Sequence, residues 1–230
     1  MVMTKTMNGP NAEEPENNLE AIYMTIRDRI CVGDFQPGSV LSENALAAEF
    51  GMSRTPIRRV LQRLELEGLV ATKEGLGTIV TILDVISLKE IYDLRIKLAE
   101  LFGELSPNVH VLEADPADLE RLLERCKGMY GQGDPRELAR INMAFHEGVM
   151  ELLTNRPLRK FFSQLYYQTV NLWLQLLPGM AWDEEVRAMV EEYTATIERL
   201  RENDMHGAGM VRRDHIDRSL RRIRTYLGGT

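Results

Sequence analysis

Along residues 18–33 the apolar positions Leu19, Ile22, Tyr23, Ile26 and Ile30 recur at three- and four-residue intervals, which places them on one face of a helix. Gly33 closes that segment, and the stretch GDFQPGSVL reads as a turn followed by a short extended piece. Ser42 stands where it can cap a second helix over 43–50, whose apolar positions are Ala45, Leu46, Ala47 and Phe50, with Gly51 as its stop. Ser53 can cap a third helix running to about Gly68; Pro56 falls in its first turn, where a missing N–H costs little. Two β-rich runs, 69–73 and 78–82, flank the glycine-containing turn EGLG, which is a hairpin signal. Three helices and then a hairpin describe a winged helix-turn-helix.

Beyond residue 84 the strand signals stop. Ser87 to Glu90 (SLKE) is a capping-box pattern that opens a helix to about Leu105. Asp115 before Pro116 and Asp134 before Pro135 each set a capping carboxylate ahead of a proline at the first helical position, for helices to about Tyr130 and Leu153. Pro157 opens the next, broken near Leu177 by Pro178 and Gly179; Asp183 opens one to about Asn203, and the last covers roughly 206–227. The predicted fold is mainly α: a disordered lead over 1–16, a winged helix-turn-helix over 17–83 with a small β-hairpin wing, and an antiparallel bundle of about six helices over 84–230.

Composition changes this picture little, at 44% hydrophobic and 27% charged residues, as in ordinary folded proteins. Cys31 and Cys126 have no metal or redox spacing and read as reduced thiols. No apolar run of about 18 residues and no signal-peptide core are present, so the expected compartment is the cytoplasm, with no membrane partner. The net charge of -7 weighs against nucleic acid until its distribution is considered. Residues 17–82 hold seven Lys/Arg and eight Asp/Glu, yet 53–63 carry Arg54, Arg58, Arg59 and Arg63 with no acid.

In the third helix Arg54, Arg58 and Gln62 share one face, while Val60, Leu61 and Leu64 share another. Arginine can donate bidentately to a guanine edge, and Ser53, Thr55 and the helix N-terminus can hold a phosphate. The plainer alternative is a solvated arginine face, which is the preferred reading for Arg63. Helix-turn-helix readers generally engage two half-sites, so a homodimer is expected.

The stretch resembles the GntR family of bacterial regulators through Ile30, Gly33, Pro37, Gly38, Leu41, Glu43, Leu46, Ala47, Gly51, the run Ser53 to Arg58 (SRTPIR), Leu61, Leu64, Gly68 and Leu69. That resemblance implies that Ser53, Arg54, Thr55 and Arg58 contact double-stranded operator DNA, helped by Asn44. Two positions depart from the family pattern. Arg59 stands where an acid is frequent, and Leu76 stands between Gly75 and Gly77 where an arginine is usual. Minor-groove contact by the wing is then left to the backbone of Gly75 and Gly77 and to Lys73.

The second half is similar to the FCD domain, the helical effector-binding domain of FadR-like regulators. The matching residues are Asp93, Leu94 and Arg95; Asn142, Phe145 and His146; Asn155 to Leu158; Glu192 and Tyr193; Ile197, Asp204, His215 and Ile216. The resemblance implies a divalent metal held by one carboxylate and three histidines, at positions occupied here by Asn142, His146, Tyr193 and His215. An amide and a phenol thus replace two ligands, and a phenol ligates only after losing a proton near pH ~10. Three readings stay open for His146 and His215: hydrogen-bonded groups of a pocket wall, a weakened zinc or nickel site completed by water, or plain core packing. Without metal, the pocket suits an organic or sugar acid, with Asn142, His146, Tyr193 and His215 as hydrogen-bonding groups and Arg95 pairing with a carboxylate. Arg95 equally fits an interdomain ion pair.

No activated nucleophile, HExxH motif or glycine-rich phosphate loop is present, and His146, Glu147 and His215 are the nearest approach to a hydrolase set; no catalytic residues are expected. The expectation is a repressor whose operator affinity answers to a small-molecule effector. The run Arg218, Arg221, Arg222, Arg224 reads as a solvated helix face.

Overall fold

The computed structural model describes residues 15–107 and 116–228. Of the lead expected to be disordered over 1–16, residues 1–14 lie outside the described residues, as does the Asp115 cap, while Pro15 and Glu16 belong to the first helix.

The predicted order of three helices and a hairpin is present: α1 (Pro15–Cys31), α2 (Glu43–Glu49) and α3 (Arg54–Leu66), then β1 (Val70–Lys73) antiparallel to β2 (Gly77–Val80). Val70 faces Val80 and Lys73 faces Gly77 across the hairpin. Gly75 and Gly77 have φ of +75° and +86°, the left-handed backbone that glycine adopts without a Cβ clash. The apolar face of α1 is the buried one, with Ile22, Tyr23, Ile26 and Ile30 packed among Leu46, Ile57, Val60, Leu61 and Leu64. The extended piece after α1 borders the wing, where the Leu41 N–H donates to the Thr78 carbonyl and the Val80 N–H to the Ser39 carbonyl. Ser42 caps α2 by accepting from the Ala45 N–H. Ser53 occupies the cap position of α3 but makes no side-chain cap bond, so the first N–H groups of that helix stay available to another acceptor.

The second half comprises α4 (Val85–Glu100), α5 (Phe102–Leu105), α6 (Pro116–Lys127), α7 (Pro135–Glu151), α8 (Arg156–Leu176), a 3₁₀ turn at Leu177–Gly179, α9 (Trp182–Arg201) and α10 (Met205–Tyr226). Asp134 and Asn155 cap α7 and α8. Three details differ from the sequence reading. First, α4 begins ahead of Ser87, because the Asp84 carboxylate accepts from the Ile86 and Ser87 N–H groups and from the Ser87 hydroxyl as well. Second, the helix expected to run to Leu105 breaks at Leu101, giving the short α5 and a seventh helix in this half among the described residues. Close approach to α10 explains the break: a Cβ on Gly209 would lie 2.5 Å from the Ala99 carbonyl oxygen, and one on Gly103 would lie 2.5 Å from the His206 Cα. Third, Asp183 does not cap α9; it accepts from the Gly131 N–H at 3.0 Å, while the Trp182 indole donates to the Met129 carbonyl at 2.8 Å.

The bundle core is built from Phe102, Leu138, Ile141, Phe145, Phe162, Tyr193 and Ile216, with Trp173 and Leu174 from α8. Helix α8 also enters the first core, to which it gives Tyr166, Tyr167 and Val170. Among the described residues no helix is long and apolar enough to cross a membrane.

The α4–α10 contact gives a direct test. Gly209→Ala forces a methyl against a backbone carbonyl and is expected to lower unfolding stability by about 1–3 kcal/mol in urea titration. An unchanged midpoint would show that this contact does not set the helix spacing.

Candidate DNA-reading face and effector cavity

Helix α3 presents Arg54 and Arg58 on an exposed face, and both meet one carboxylate from the start of α2. Glu43 accepts two bonds from Arg58 at 2.9 Å each and one from Arg54 at 3.1 Å. The hydrogen bonds from Arg58, joined by those from Arg54, hold the Glu43 carboxyl down to about 2, so it is ionised at any physiological pH. Both guanidiniums remain more than half exposed, so Glu43 orients them without removing them from solvent. In the sequence Glu43 stands only as part of a motif; its role comes from the packing of α2 across α3.

Asn44, Arg54, Arg58, Gln62, Thr72 and Gly77 line one groove between α2, α3 and the wing. Ser53, Thr55, Lys73 and Gly75 are exposed but do not line it. Arg63 is off this face: it pairs with Glu20 and Glu67 and lies 3.4 Å over the Tyr23 ring.

Behind α3 stands α8. The Gln164 amide donates to the Leu66 carbonyl at 3.3 Å and the Gln168 amide to the Glu67 carbonyl at 2.6 Å, so α8 supplies partners to the carbonyls at the end of α3. Gly68, at φ +79°, lets Gln168 approach; a Cβ there would lie 2.6 Å from its Nε2. The interdomain ion pairs among the described residues are Arg27 with Glu147 and Arg136 with Asp34 at 3.1 Å; Arg95 makes none. Buried Arg27 meets Glu147 at 2.6 Å and lies 4.1 Å over the Tyr167 ring, while the Tyr167 hydroxyl donates to the same Glu147 oxygen. Glu147 is thereby committed to the domain junction, away from His215.

The opposite side of α8 borders a cavity of about 40 Å³ in the bundle, lined by Tyr92, Arg95, Asn142, Tyr166, Thr169, Trp173, Glu185, Arg212 and His215 among others. That is room for on the order of three waters. Arg95 is buried, donates to Thr169 at 2.9 Å and lies 5.1 Å over the Tyr92 ring, but forms no ion pair among the described residues. Burial pushes its pKa below the ordinary arginine value. Arg212 is buried too; burial opposes its charge, but Glu192 together with the Tyr166 and Tyr193 phenols holds its pKa above the ordinary arginine value. On the far wall Glu185 pairs with Arg222, so that member of the arginine run is no solvated group.

The four positions that correspond to metal ligands are not brought together as a ligand set. Asn142 and His215 line the cavity, but His146 and Tyr193 do not. His146 is fully buried, stacked on Tyr166 at 3.8 Å, with Nδ1 2.9 Å from Arg212 and Nε2 3.1 Å from the Ser163 hydroxyl. Burial, then Arg212, Arg95 and Arg27, push its pKa well below 6.5, so its ring is neutral at neutral pH. Tyr193 stacks on Phe145 at 3.6 Å, its hydroxyl reaching Asn142 only at 3.5 Å; burial raises its pKa well above 10. Burial also takes His215 down to about 4, although Glu192 pulls the other way; its Nε2 lies 3.1 Å from Glu192 Oε2, outside hydrogen-bond geometry. Among the described residues no three His, Cys, Asp or Glu side chains could hold one ion. The donor set does not fit a divalent metal.

The comparisons agree with both halves of this architecture. A model of the bacterial regulatory proteins, gntR family, matches residues 18–80, and one of the FCD domain matches residues 90–218. The chain belongs to the GntR family. This GntR chain is 33% identical over 147 residues to the HTH-type transcriptional regulator YdhC of Bacillus subtilis, covering 62% of this chain and 64% of the relative. It is 31% identical over 140 residues to the gluconate operon transcriptional repressor of that organism, covering 61% and 57%. The matches therefore span less than two thirds of these relatives' lengths. The fold is that of the Escherichia coli McbR/YncC structure (TM-score 0.71, 21% identity, 92% of this chain and 97% of that one). A GntR regulator from Rhodococcus sp. RHA1 also superposes, with TM-score 0.67 and 18% identity over 93% and 99%. The named relatives are transcriptional regulators, in keeping with the expectation of no catalytic residues.

Glu147→Ala would leave buried Arg27 with Asp28 as its remaining carboxylate and the Tyr167 hydroxyl without its acceptor. It is expected to cost about 1–3 kcal/mol of stability by thermal unfolding, with Tyr167→Phe costing less. A melting temperature unchanged by Glu147→Ala would mean that this pair contributes nothing to the junction.

Proposed function

We propose that this GntR chain is a transcriptional repressor that binds operator DNA as a homodimer in the cytoplasm, and that a small carboxylate bound in the helical domain sets its operator affinity. The observation that carries the DNA-binding part is the pair of exposed guanidiniums on α3, both aimed by Glu43 beside a glycine-turned wing. Their spacing suits base edges in the major groove, and two copies suit two half-sites. The N–H groups at the start of α3, free of a Ser53 cap, suit a phosphate. The repressor reading draws on the gluconate operon repressor among the relatives. An organic or sugar acid as effector is supported by Arg95, a buried cation with no carboxylate against it. Helix α8 offers the route between the sites: Tyr166 and Thr169 border the cavity, while Gln164 and Gln168 hold the end of α3. A ligand that reseats Tyr166 would shift the balance between two placements of α3.

Fluorescence anisotropy with DNA from upstream of the gene tests the reading. The wild type should prefer that DNA to scrambled DNA at moderate salt, and Arg54→Ala or Arg58→Ala should weaken specific binding about 10-fold or more, at 1–3 kcal/mol per bidentate contact. No preference for the upstream DNA, with or without carboxylates, would sink it.

A further inference from the structure

We infer that the guanidinium of Arg212 takes the place a divalent metal holds in related domains, making the cavity a metal-free site for a small monocarboxylate. The inference rests on the effector reading above and deepens it. Arg212 projects from α10 into the bundle, where Nη1 donates to Glu192 Oε1 at 2.5 Å and Nη2 to His146 Nδ1 at 2.9 Å. A guanidinium can only donate, so Nδ1 of His146 must be the acceptor. The ring proton then sits on Nε2, which donates to Ser163. Both ring nitrogens are thereby used, and the lone pair a metal would need is engaged by Arg212. The carboxylate that would balance a dication is replaced by neutral Asn142, and Tyr193 stacks on Phe145 with its hydroxyl donating toward Asn142. A dication placed here would also meet the fixed charge of Arg212 in a low-dielectric interior.

The same guanidinium leaves an anion site. Arg95 Nε, Arg212 Nε and the Tyr166 hydroxyl are each buried with no hydrogen-bond partner, and all three residues line the cavity. The Arg95 and Arg212 guanidinium carbons lie 5.3 and 6.0 Å from the centroid of the Tyr166 ring, so the three form one cluster. The charges do not cancel. Arg95, Arg212 and Arg222 face only Glu185 and Glu192. One positive charge is unmatched. A single carboxylate supplies that charge and can accept from all three unpartnered donors. The cavity of about 40 Å³ restricts the ligand to a compact acid.

The test uses the full chain. After chelation, equilibrium dialysis against zinc or nickel alone should leave well under one metal per chain. Acetate, pyruvate and lactate are then screened by thermal shift beside malonate and succinate. At least one monocarboxylate should raise the melting temperature by about 5 °C at roughly a hundredfold excess over Kd, equally with and without EDTA, and more than either diacid. Arg95→Met should abolish the shift with the Arg212 bonds intact. Arg212→Met paired with Glu192→Gln, which removes both buried charges together, should abolish it without unfolding the chain. Stoichiometric zinc or nickel uptake, or a carboxylate shift that EDTA removes and metal restores, would overturn the substitution of metal by Arg212. No shift with any monocarboxylate would overturn the anion site, and specific DNA binding would still stand or fall on its own measurement.

Discussion

One helix has to satisfy two cores at once, and most of the molecule is arranged around that constraint. Helix α8 buries Phe162, Trp173 and Leu174 in the bundle and Tyr166, Tyr167 and Val170 against the DNA-reading module. Its polar positions serve the same double duty. Gln164 and Gln168, four residues apart, reach the carbonyls that end α3, and Asn171 donates to the Ile30 carbonyl near the end of α1. Thr169, one residue from Gln168, bonds Arg95 in the cavity wall. A helix hydrogen-bonded to the ends of α1 and α3 does not slide past them without breaking those bonds. It moves with them or rotates as a unit, so the cavity and the reading helix share a rigid wall.

Whatever was fixed locally could be read from the chain. The caps Ser42 and Asp134, the glycine turn of the wing and the apolar stripe of α1 all act within a few residues of sequence. Helix boundaries that depart from the local pattern come from competition and from tertiary contact. Asp84 caps α4 three residues ahead of Ser87, through the Ile86 and Ser87 N–H groups, and Gly103 and Gly209 let α5 turn against α10. Pairings over long separations were not legible, because a charge run says nothing of its partner. Arg27 with Glu147 and Arg212 with His146 and Glu192 are of this kind. A signal for Arg212 was nevertheless present. It lies four residues before Ile216, in register with Leu220 and Ile223 on the buried stripe of α10, and Arg95 likewise falls in step with Leu88, Tyr92 and Ala99. An arginine in phase with an apolar stripe points inward, and α10 is otherwise so rich in exposed arginines that this one was lost among them.

The electrostatics of the cavity follow from that inward arginine. Isolated burial of a guanidinium is costly, and Glu192 offsets it only for Arg212. Arg95 keeps its charge against aromatic faces and one hydroxyl, an arrangement that stabilises the ion less than a carboxylate would. A dication held by one carboxylate and three neutral rings presents one net positive charge to its ligand; three guanidiniums facing two carboxylates present the same. Replacing an acid by Asn142 and a histidine by Tyr193 would leave a metal site crippled if nothing else changed. Set beside Arg212, the two replacements are consistent with each other, because a monocation that cannot dissociate or deprotonate needs fewer anionic partners than a dication. In the proposed site the charge offered to an acid would be part of the covalent chain and would not depend on metal supply.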